Sequence, residues 1–249
     1  MSETTRIDLN HPAPRAHLRV QDFAPHGVVL TSSWATRRVA YPMGVRLAHL
    51  SYLARLSPNA VSILSLCTGL ISTLIAGFFM QNVFWGGVVL LVGLQLAYVL
   101  DCADGVLART TKRCSNFGSI FDKTLDCVSI VLIPGILCIA APARHELEAT
   151  WVGPLILFGV TPSLAMAMVI WLKDYVNHGG NKLAVDARSH TPFWYVARIV
   201  AFFLDTPVFR LALAVSWMTS TFVYFLIGYG LFSSLALVIY LFKTSRELS

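Results

Sequence analysis

Charged side chains are scarce in this chain. Only 13% of its 249 residues are Asp, Glu, Lys or Arg, whereas a soluble domain carries about 25%. Hydrophobic residues make up 56% of the sequence, and they form several runs that are long enough to cross a bilayer. This excludes an ordinary soluble domain and predicts an all-α polytopic membrane protein.

Zinc-type cysteine spacing and a signal peptide are also lacking. The five cysteines are an odd number without metal-ligand spacing, so we interpret them as reduced packing residues. Residues 1–33 have no apolar core and predict a flexible cytoplasmic tail. The net charge of +6 comes from basic residues beside the apolar runs, which favours contact with membrane lipids and no nucleic-acid partner.

The apolar runs predict six transmembrane helices within residues 57–243, followed by a short cytoplasmic tail at 244–249. Ser57 and Pro58 predict the start of the first helix, as an N-cap followed by proline at the first helical position. The stretch from 207 to 241 is too long for one crossing, and we place a break near Gly228 and Gly230. The first four predicted spans are 58–80, 83–107, 116–140 and 152–173.

Lysine and arginine alternate by side along these spans, as the positive-inside rule requires. Basic residues are frequent in the N-terminal region, in the second-to-third connection and in the fourth-to-fifth connection. On the predicted opposite side the loops have Arg144 as their one basic residue. We therefore expect both termini on the cytoplasmic side, and we expect a bacterial inner membrane as the location.

Residues 34–56 precede the first span and include an amphipathic stretch. Five apolar residues recur at near-helical intervals, with Arg46, His49 and Arg55 between them. The pattern predicts an interfacial helix on the cytoplasmic leaflet, and the alternative is a polar lead-in to the first span. The apolar residues are Val45, Leu47, Leu50, Leu53 and Leu56.

Four of the 13 acidic residues lie at the adjoining ends of the second and third spans: Asp101, Asp104, Asp122 and Asp126. Ionised groups at this depth cost about 3 kcal/mol each on insertion scales and are usually functional. The spacings i, i+3 and i, i+4 place each pair on one helix face. Because the connection is short, we expect the two faces to meet. Lys123 falls outside the acidic face, and we expect it to extend to the membrane surface or to form an ion pair.

Clustered carboxylate oxygens are ligands for Mg²⁺ or Mn²⁺, and four of them can bridge two ions. Such ions act on phosphates. Gly105 and Ala108 leave room beside the acids for a phosphate-bearing ligand, and Arg109 adds a charge that pairs with phosphate oxygens. Gly118 allows close packing of the third span, although small residues are common at membrane helix interfaces.

The pattern Asp101-x-x-Asp104-Gly105-x-x-Ala108-Arg109, eight residues, Gly118, three residues, Asp122, three residues, Asp126 resembles the signature of the CDP-alcohol phosphotransferases at every fixed position. The resemblance implies six transmembrane helices, a cytoplasmic-side active site and a homodimer. Members of that family cleave the pyrophosphate of a CDP-linked donor, transfer the phospho-alcohol part to an acceptor hydroxyl and release CMP.

The resemblance also implies roles for individual residues. Asp101, Asp104 and Asp122 would hold the metal ions, and Asp126 would assist with the second ion and act as general base on the acceptor. The CDP site would be lined by Gly105, Ala108 and Arg109, with Gly118 letting the third helix close against it.

Asp205 and Arg210 flank Pro207, and they either contact a polar acceptor or form a structural ion pair. The predicted function is transfer of a phosphatidyl group from a CDP-linked lipid, CDP-diacylglycerol, to a small polar alcohol. The alternatives are transfer from a soluble CDP-alcohol to diacylglycerol, intramembrane prenyl transfer, and divalent-cation transport.

Overall fold

The computed structural model describes residues 18–24, 36–144, 147–178 and 206–248. These residues form helices and connections and contain no strand, in agreement with the all-α prediction. Short π or 3-10 turns lie at Thr36–Ala40, Ile75–Phe79, Ala141–Arg144 and Ala149–Trp151. The α-helices are α1 (Val20–Phe23), α2 (Tyr41–Leu53), α3 (Pro58–Leu74), α4 (Val83–Thr110), α5 (Asn116–Ala140), α6 (Val152–His178), α7 (Thr206–Met218) and α8 (Phe222–Leu248).

Four helical segments of the described chain are long and apolar enough to cross a membrane: Pro58–Phe79, Val83–Thr110, Asn116–Arg144 and Phe222–Ile239. Two shorter apolar helical stretches, Ala149–Ala165 and Val208–Met218, fall where the fourth and fifth spans are predicted. The protein is therefore an integral membrane protein, and the total of six crossings stays a prediction.

The predicted break near Gly228 and Gly230 is wrong. Helix α7 ends at Met218, and α8 passes through both glycines without interruption. The chain turns at Ser220, whose φ of 55° is left-handed, and the Thr221 N–H donates to the Ser216 carbonyl (2.9 Å). Glycine often marks a helix break, but it equally permits close helix packing.

Local hydrogen bonds define the end of α4 and the starts of α5 and α3. Helix α4 terminates where Lys112 adopts a φ of 54° and the Arg113 N–H donates to the Ala108 carbonyl (2.9 Å), a Schellman-type ending. Helix α5 then begins with Ser115 as N-cap, because its Oγ accepts from the Gly118 N–H (2.9 Å). The predicted cap of α3 is confirmed, since Ser57 Oγ accepts from the Ala60 N–H (3.2 Å).

The chain divides into two compact units, residues 1–65 with 96–122 and residues 66–95 with 123–249. In the first unit, α2 packs against the C-terminal part of α4. Phe23 of α1 is fully buried and lies edge-on to Tyr52 at a centroid distance of 5.8 Å. The core of this unit comprises Phe23, Val45, Ala48, Tyr52, Val61, Leu100, Ala103, Val106 and Leu107.

Helix α2 occupies the predicted interfacial segment, but its apolar residues do not share one face. Val45 is buried, whereas Leu50 and Leu53 are 57% and 53% exposed. Five residues along a helix rotate a side chain by about 140°, which separates Val45 from Leu50. A Cβ added at Gly44 would lie 3.2 Å from Cys102 Cβ, so α2 contacts α4 beside the acidic residues. Its position on the membrane surface stays a prediction.

The second unit is built around the close approach of α6 and α8. A Cβ at Gly230 would lie 2.2 Å from the Phe158 carbonyl oxygen, and one at Gly159 would lie 2.5 Å from Leu226 Cγ. The backbones therefore meet because these residues lack side chains. Buried members of the surrounding core include Leu90, Leu94, Leu137, Trp217, Phe222 and Leu226.

Arg144 closes the C-terminal end of the first span. Its Nη2 donates to the carbonyls of Ala76 and Met80, both at 2.6 Å, and its guanidinium lies 4.6 Å from the Trp217 ring centroid. Helix ends leave such carbonyls without intrahelical donors, and a cation is favourable there. The arginine predicted to be alone on its side of the membrane is therefore engaged in the fold.

The Gly230→Ala variant should destabilise the second unit, because its methyl group has no room beside the Phe158 carbonyl. Overpacking costs ~1–3 kcal/mol, and each kcal/mol corresponds to roughly 2–4 °C in a chain of this size. We expect the thermal midpoint of the detergent-solubilised protein to fall by about 5 °C. The matched control is Gly228→Ala, which meets no atom within 4 Å and should leave the midpoint unchanged or raise it. Equal midpoints for the two variants would contradict the packing argument.

Candidate active site

Three of the four predicted metal-ligand aspartates converge in the first unit. Asp101 and Asp104 come from α4, and Asp122 comes from the first turns of α5. Each offers one carboxylate oxygen, and these oxygens all lie within 4.8 Å of one another. The i, i+3 spacing on α4 and the short connection at Lys112 to Ser115 produce this arrangement, which we call the aspartate cluster.

The electrostatics of the aspartate cluster favour the binding of a cation. Asp104 is only 6% exposed, and Asp101 and Asp122 are half-buried. Two ionised carboxylates at 4.8 Å repel by about 3 kcal/mol at an effective dielectric constant of about 20. A divalent ion would convert this repulsion into attraction, and an all-oxygen donor set suits Mg²⁺ or Mn²⁺. The three side chains fit such an ion.

Ser62 contacts the aspartate cluster and is not among the predicted site residues. Its Oγ donates a hydrogen bond to Asp104 Oδ2, and the serine is only 6% exposed. A sequence signal exists in retrospect, because Ser62 and Ser65 recur at a spacing of three on one face of an apolar helix. Ser65 donates to the Ala97 carbonyl of α4 (2.7 Å), so this face of α3 lies against α4.

Arg109 lies over the space that Gly105 leaves open. A Cβ added at Gly105 would be 3.0 Å from Arg109 Nη1 and 3.6 Å from Cζ. Arg109 lies one turn beyond Gly105 on the same helix, and its guanidinium extends back over that glycine; Ala108, the preceding residue, is half-buried. The predicted CDP-site residues of α4 are therefore neighbours, and the glycine accommodates the arginine in this conformation.

Gly118 faces the beginning of α3. A Cβ at this position would lie 3.5 Å from Asn59 Oδ1 and 3.1 Å from Ser115 Oγ. The lack of a side chain lets the first turn of α5 approach the first turn of α3, as the packing interpretation expects. Asn59 is a second polar neighbour that the sequence prediction did not include as a site residue.

Asp126 is not one of the three clustered aspartates, and it belongs to the second compact unit. Its Oδ2 accepts a hydrogen bond from Lys123 Nζ at 2.9 Å, in an ion pair whose side chains are 31% and 41% exposed. Lys123 thus pairs with the next acid along the helix, which is one of its two expected behaviours. The roles predicted for Asp126 stay predictions.

The predicted acceptor-side pair is described only in part. Asp205 lies outside the described residues. Arg210 is 5% exposed in α7, and its Nη1 donates to the Leu94 carbonyl at 3.5 Å. A buried arginine in a membrane protein is a functional candidate by default. Neither the acceptor contact nor the ion pair with Asp205 is decided by these contacts.

A comparison with protein families completes this description. The CDP-alcohol phosphatidyltransferase family model matches residues 55–224, which include the aspartate cluster and cover well over half of the chain. The chain belongs to this family. Members of the CDP-alcohol phosphatidyltransferase family are transferases of substituted phosphate groups, and they generally use divalent metal ions.

Curated relatives match a shorter region. Cholinephosphotransferase 1 of Mus musculus is 31% identical over 83 residues, which are 31% of this chain and 21% of that protein. Archaetidylinositol phosphate synthase of Pyrococcus horikoshii is 38% identical over 76 residues, 30% of this chain and 36% of that protein. Cholinephosphotransferase 1 of Homo sapiens is 30% identical over 91 residues, 34% of this chain and 22% of that protein. The chain thus spans much less than half the length of the curated relatives it matches.

The Asp101→Asn variant tests the cluster without measuring activity. In EDTA its thermal midpoint should equal or exceed that of the wild type, because one of three like charges is removed. With Mn²⁺ the wild type should gain stability, by about 2.7 kcal/mol at 100 times the dissociation constant, and the variant should gain much less. The control is Glu148→Gln, which neutralises an exposed carboxylate and should respond as the wild type does. An equal Mn²⁺ response in Asp101→Asn would contradict the assignment.

Proposed function

We propose that this protein transfers a phosphatidyl group from CDP-diacylglycerol to the hydroxyl of a small polar alcohol, with release of CMP. The observation that carries the proposal is the aspartate cluster within the region that matches the family. Three carboxylate oxygens within 4.8 Å form a ligand set for the divalent ions that phosphoryl-transfer enzymes use.

In this proposal Asp101, Asp104 and Asp122 hold two divalent ions, Mg²⁺ or Mn²⁺, with help from Asp126. Bound there, such ions would neutralise and orient the pyrophosphate oxygens. The contribution of the chain is a fixed geometry, because helices α4 and α5 and their short connection set the distances between the carboxylates. Asp104, nearly fully buried, is held most firmly.

The donor is proposed to lie along α4, next to the cluster. Arg109 would pair with phosphate oxygens of the CDP group, since a guanidinium matches phosphate geometry through paired N–H donors. Gly105 and Ala108 would let the donor approach the helix backbone once the guanidinium moves from its place over Gly105. Gly118 would let α5 close against the donor site.

Asp126 is the proposed general base. The acceptor hydroxyl oxygen attacks the phosphorus that carries the lipid, the pyrophosphate bond breaks, and CMP leaves with the bonding electrons. The hydroxyl proton passes to the Asp126 carboxylate. Lys123 holds Oδ2 of that carboxylate (2.9 Å), so Oδ1 is the oxygen proposed to accept the proton. Arg210 and Asp205 are proposed to contact the acceptor.

A reaction in which the lipid is the acceptor instead of the donor is a second candidate function. The similarity to cholinephosphotransferase 1 supports transfer of a phospho-alcohol from CDP-alcohol to diacylglycerol. The similarity to archaetidylinositol phosphate synthase is higher, at 38% identity, and covers more of that relative's length. We therefore favour the lipid-linked donor. Prenyl transfer would release pyrophosphate, and cation transport would release no nucleotide.

The site is proposed to face the cytoplasm, and the protein is proposed to reside in a bacterial inner membrane as a homodimer. Arg109, Lys112 and Arg113 lie at the cluster end of α4, and the positive-inside rule places such residues in the cytoplasm. A cytoplasmic site would also meet soluble nucleotides and polar alcohols directly.

The function is tested by incubating the purified protein with Mn²⁺ and CDP-diacylglycerol while the alcohol is varied. The set contains glycerol 3-phosphate, serine, myo-inositol, inositol phosphate and choline, and a parallel reaction contains CDP-choline with diacylglycerol. We expect CMP release that depends on one alcohol, together with a phospholipid of matching mass. Activity only in the CDP-choline reaction would reverse the donor assignment. Pyrophosphate release, or metal flux into liposomes without CMP, would overturn the proposal.

The Asp126→Asn variant should lose turnover and still bind CDP-diacylglycerol. The amide keeps the shape of the carboxylate but has no oxygen basic enough to accept the hydroxyl proton. The expected loss is about 100-fold or more in kcat. Donor binding is measured separately, as the rise in thermal midpoint that CDP-diacylglycerol causes. Glu148→Gln serves as the neutralised-acid control and should keep full activity. Wild-type kcat in Asp126→Asn would remove the base from this position.

A further inference from the structure

We infer that Ser62 is a positioning residue, which orients the Asp104 carboxylate toward the other two aspartates of the cluster. The serine lies on α3, one turn beyond the helix start, and reaches across to α4. Its Oγ donates to Asp104 Oδ2, and the two residues are each only 6% exposed. The inference rests on the proposed metal role of Asp104.

The Ser62 hydroxyl has one proton and two acceptors within reach. The second acceptor is the Pro58 carbonyl, 3.2 Å away in the preceding turn of α3. A hydrogen bond to an ionised carboxylate is about twice as strong as one between neutral groups, so the proton belongs to Asp104. A serine inside a helix ordinarily donates a hydrogen bond to the backbone of its own helix. Ser62 instead donates to a side chain on another helix.

Burial makes this bond decisive for the direction of the carboxylate. Asp104 is shielded from solvent, so water does not replace a lost donor as it would at the surface. Fixing Oδ2 fixes the plane of the carboxylate, and with it the direction of the remaining lone pairs. Outer partners of metal ligands act in this way, and removing one typically lowers metal affinity by about 10- to 100-fold.

The α3 helix is well anchored for this purpose. The Ser57 cap and Pro58 fix its first turn, and Ser65 bonds to the Ala97 carbonyl on α4 at 2.7 Å. Ser65 is also an ideal comparison, because it is 5% exposed and its hydroxyl binds a main-chain carbonyl instead of a cluster carboxylate. The two serines thus lie one turn apart with similar burial, and they differ in whether the hydroxyl donates to a carboxylate or to a main-chain carbonyl.

The test compares Ser62→Ala with Ser65→Ala in the detergent-solubilised full-length chain. Mn²⁺ binding is measured directly from the loss of the free Mn²⁺ electron-spin signal, and CMP release is measured against Mn²⁺ concentration. Ser62→Ala should weaken Mn²⁺ binding and raise the half-saturating Mn²⁺ concentration by about 10-fold, with kcat largely recovered at saturating metal. Ser65→Ala should leave Mn²⁺ binding unchanged.

Two more variants keep the outcome decisive. Ser62→Thr retains the hydroxyl and should restore wild-type Mn²⁺ binding, whereas Ser62→Cys keeps the volume with a weak donor and should resemble Ser62→Ala. Equal Mn²⁺ binding in folded Ser62→Ala, Ser62→Cys and Ser65→Ala would overturn the inference. The inference would also be overturned if Ser62→Ala and Ser62→Cys both failed to fold while Ser65→Ala folded. Absence of CMP release and of Mn²⁺ binding in the wild type would instead defeat the proposed function itself.

Discussion

Mutual repulsion among three carboxylates is the constraint around which the first unit is organised. Asp101, Asp104 and Asp122 place their oxygens within 4.8 Å of one another, at the end of helices that are otherwise apolar. Such an arrangement is stabilised by a bound cation and needs a scaffold that prevents the helices from separating. The closed turn at Lys112, the Ser115 cap and the packing of α2 against α4 supply that scaffold. These local features thus keep three like charges close together.

Much of this arrangement follows from the sequence, because short-range rules govern it. Helical periodicity and a connection too short to let the helices diverge are sufficient to bring Asp101, Asp104 and Asp122 together, whereas Asp126, one turn further along α5, is not part of the cluster. The Ser57-Pro58 start of α3 likewise depends on a local hydrogen bond. The role of Ser62 depends on which residues of α3 oppose α4, and no local rule provides that register. A buried serine in an apolar helix is common, and only its partner makes it informative.

The mistaken break at Gly228 and Gly230 and the unforeseen packing of α2 have a shared physical origin. The break near Gly228 and Gly230 and the interfacial helix that contains Val45 and Leu50 were each predicted from the pattern within a single segment. Glycine permits both a turn and a close approach, and a leucine facing lipid is indistinguishable in sequence from one facing protein. In both cases the deciding atoms belong to another helix: the Phe158 carbonyl beside Gly230, and the α4 surface beneath Gly44 and Val45.

Arg144 has a consequence for the helix end that it binds in the second unit. Its guanidinium is committed to the Ala76 and Met80 carbonyls and to the Trp217 ring, so its charge is directed into the protein. Gln81 and Asn82, which follow the first span, are exposed and uncharged. Hydrogen bonds to buried carbonyls are insensitive to ionic strength, whereas exposed charges are screened by salt. The bonds of Arg144 should therefore persist at salt concentrations that weaken exposed ion pairs such as Lys123–Asp126.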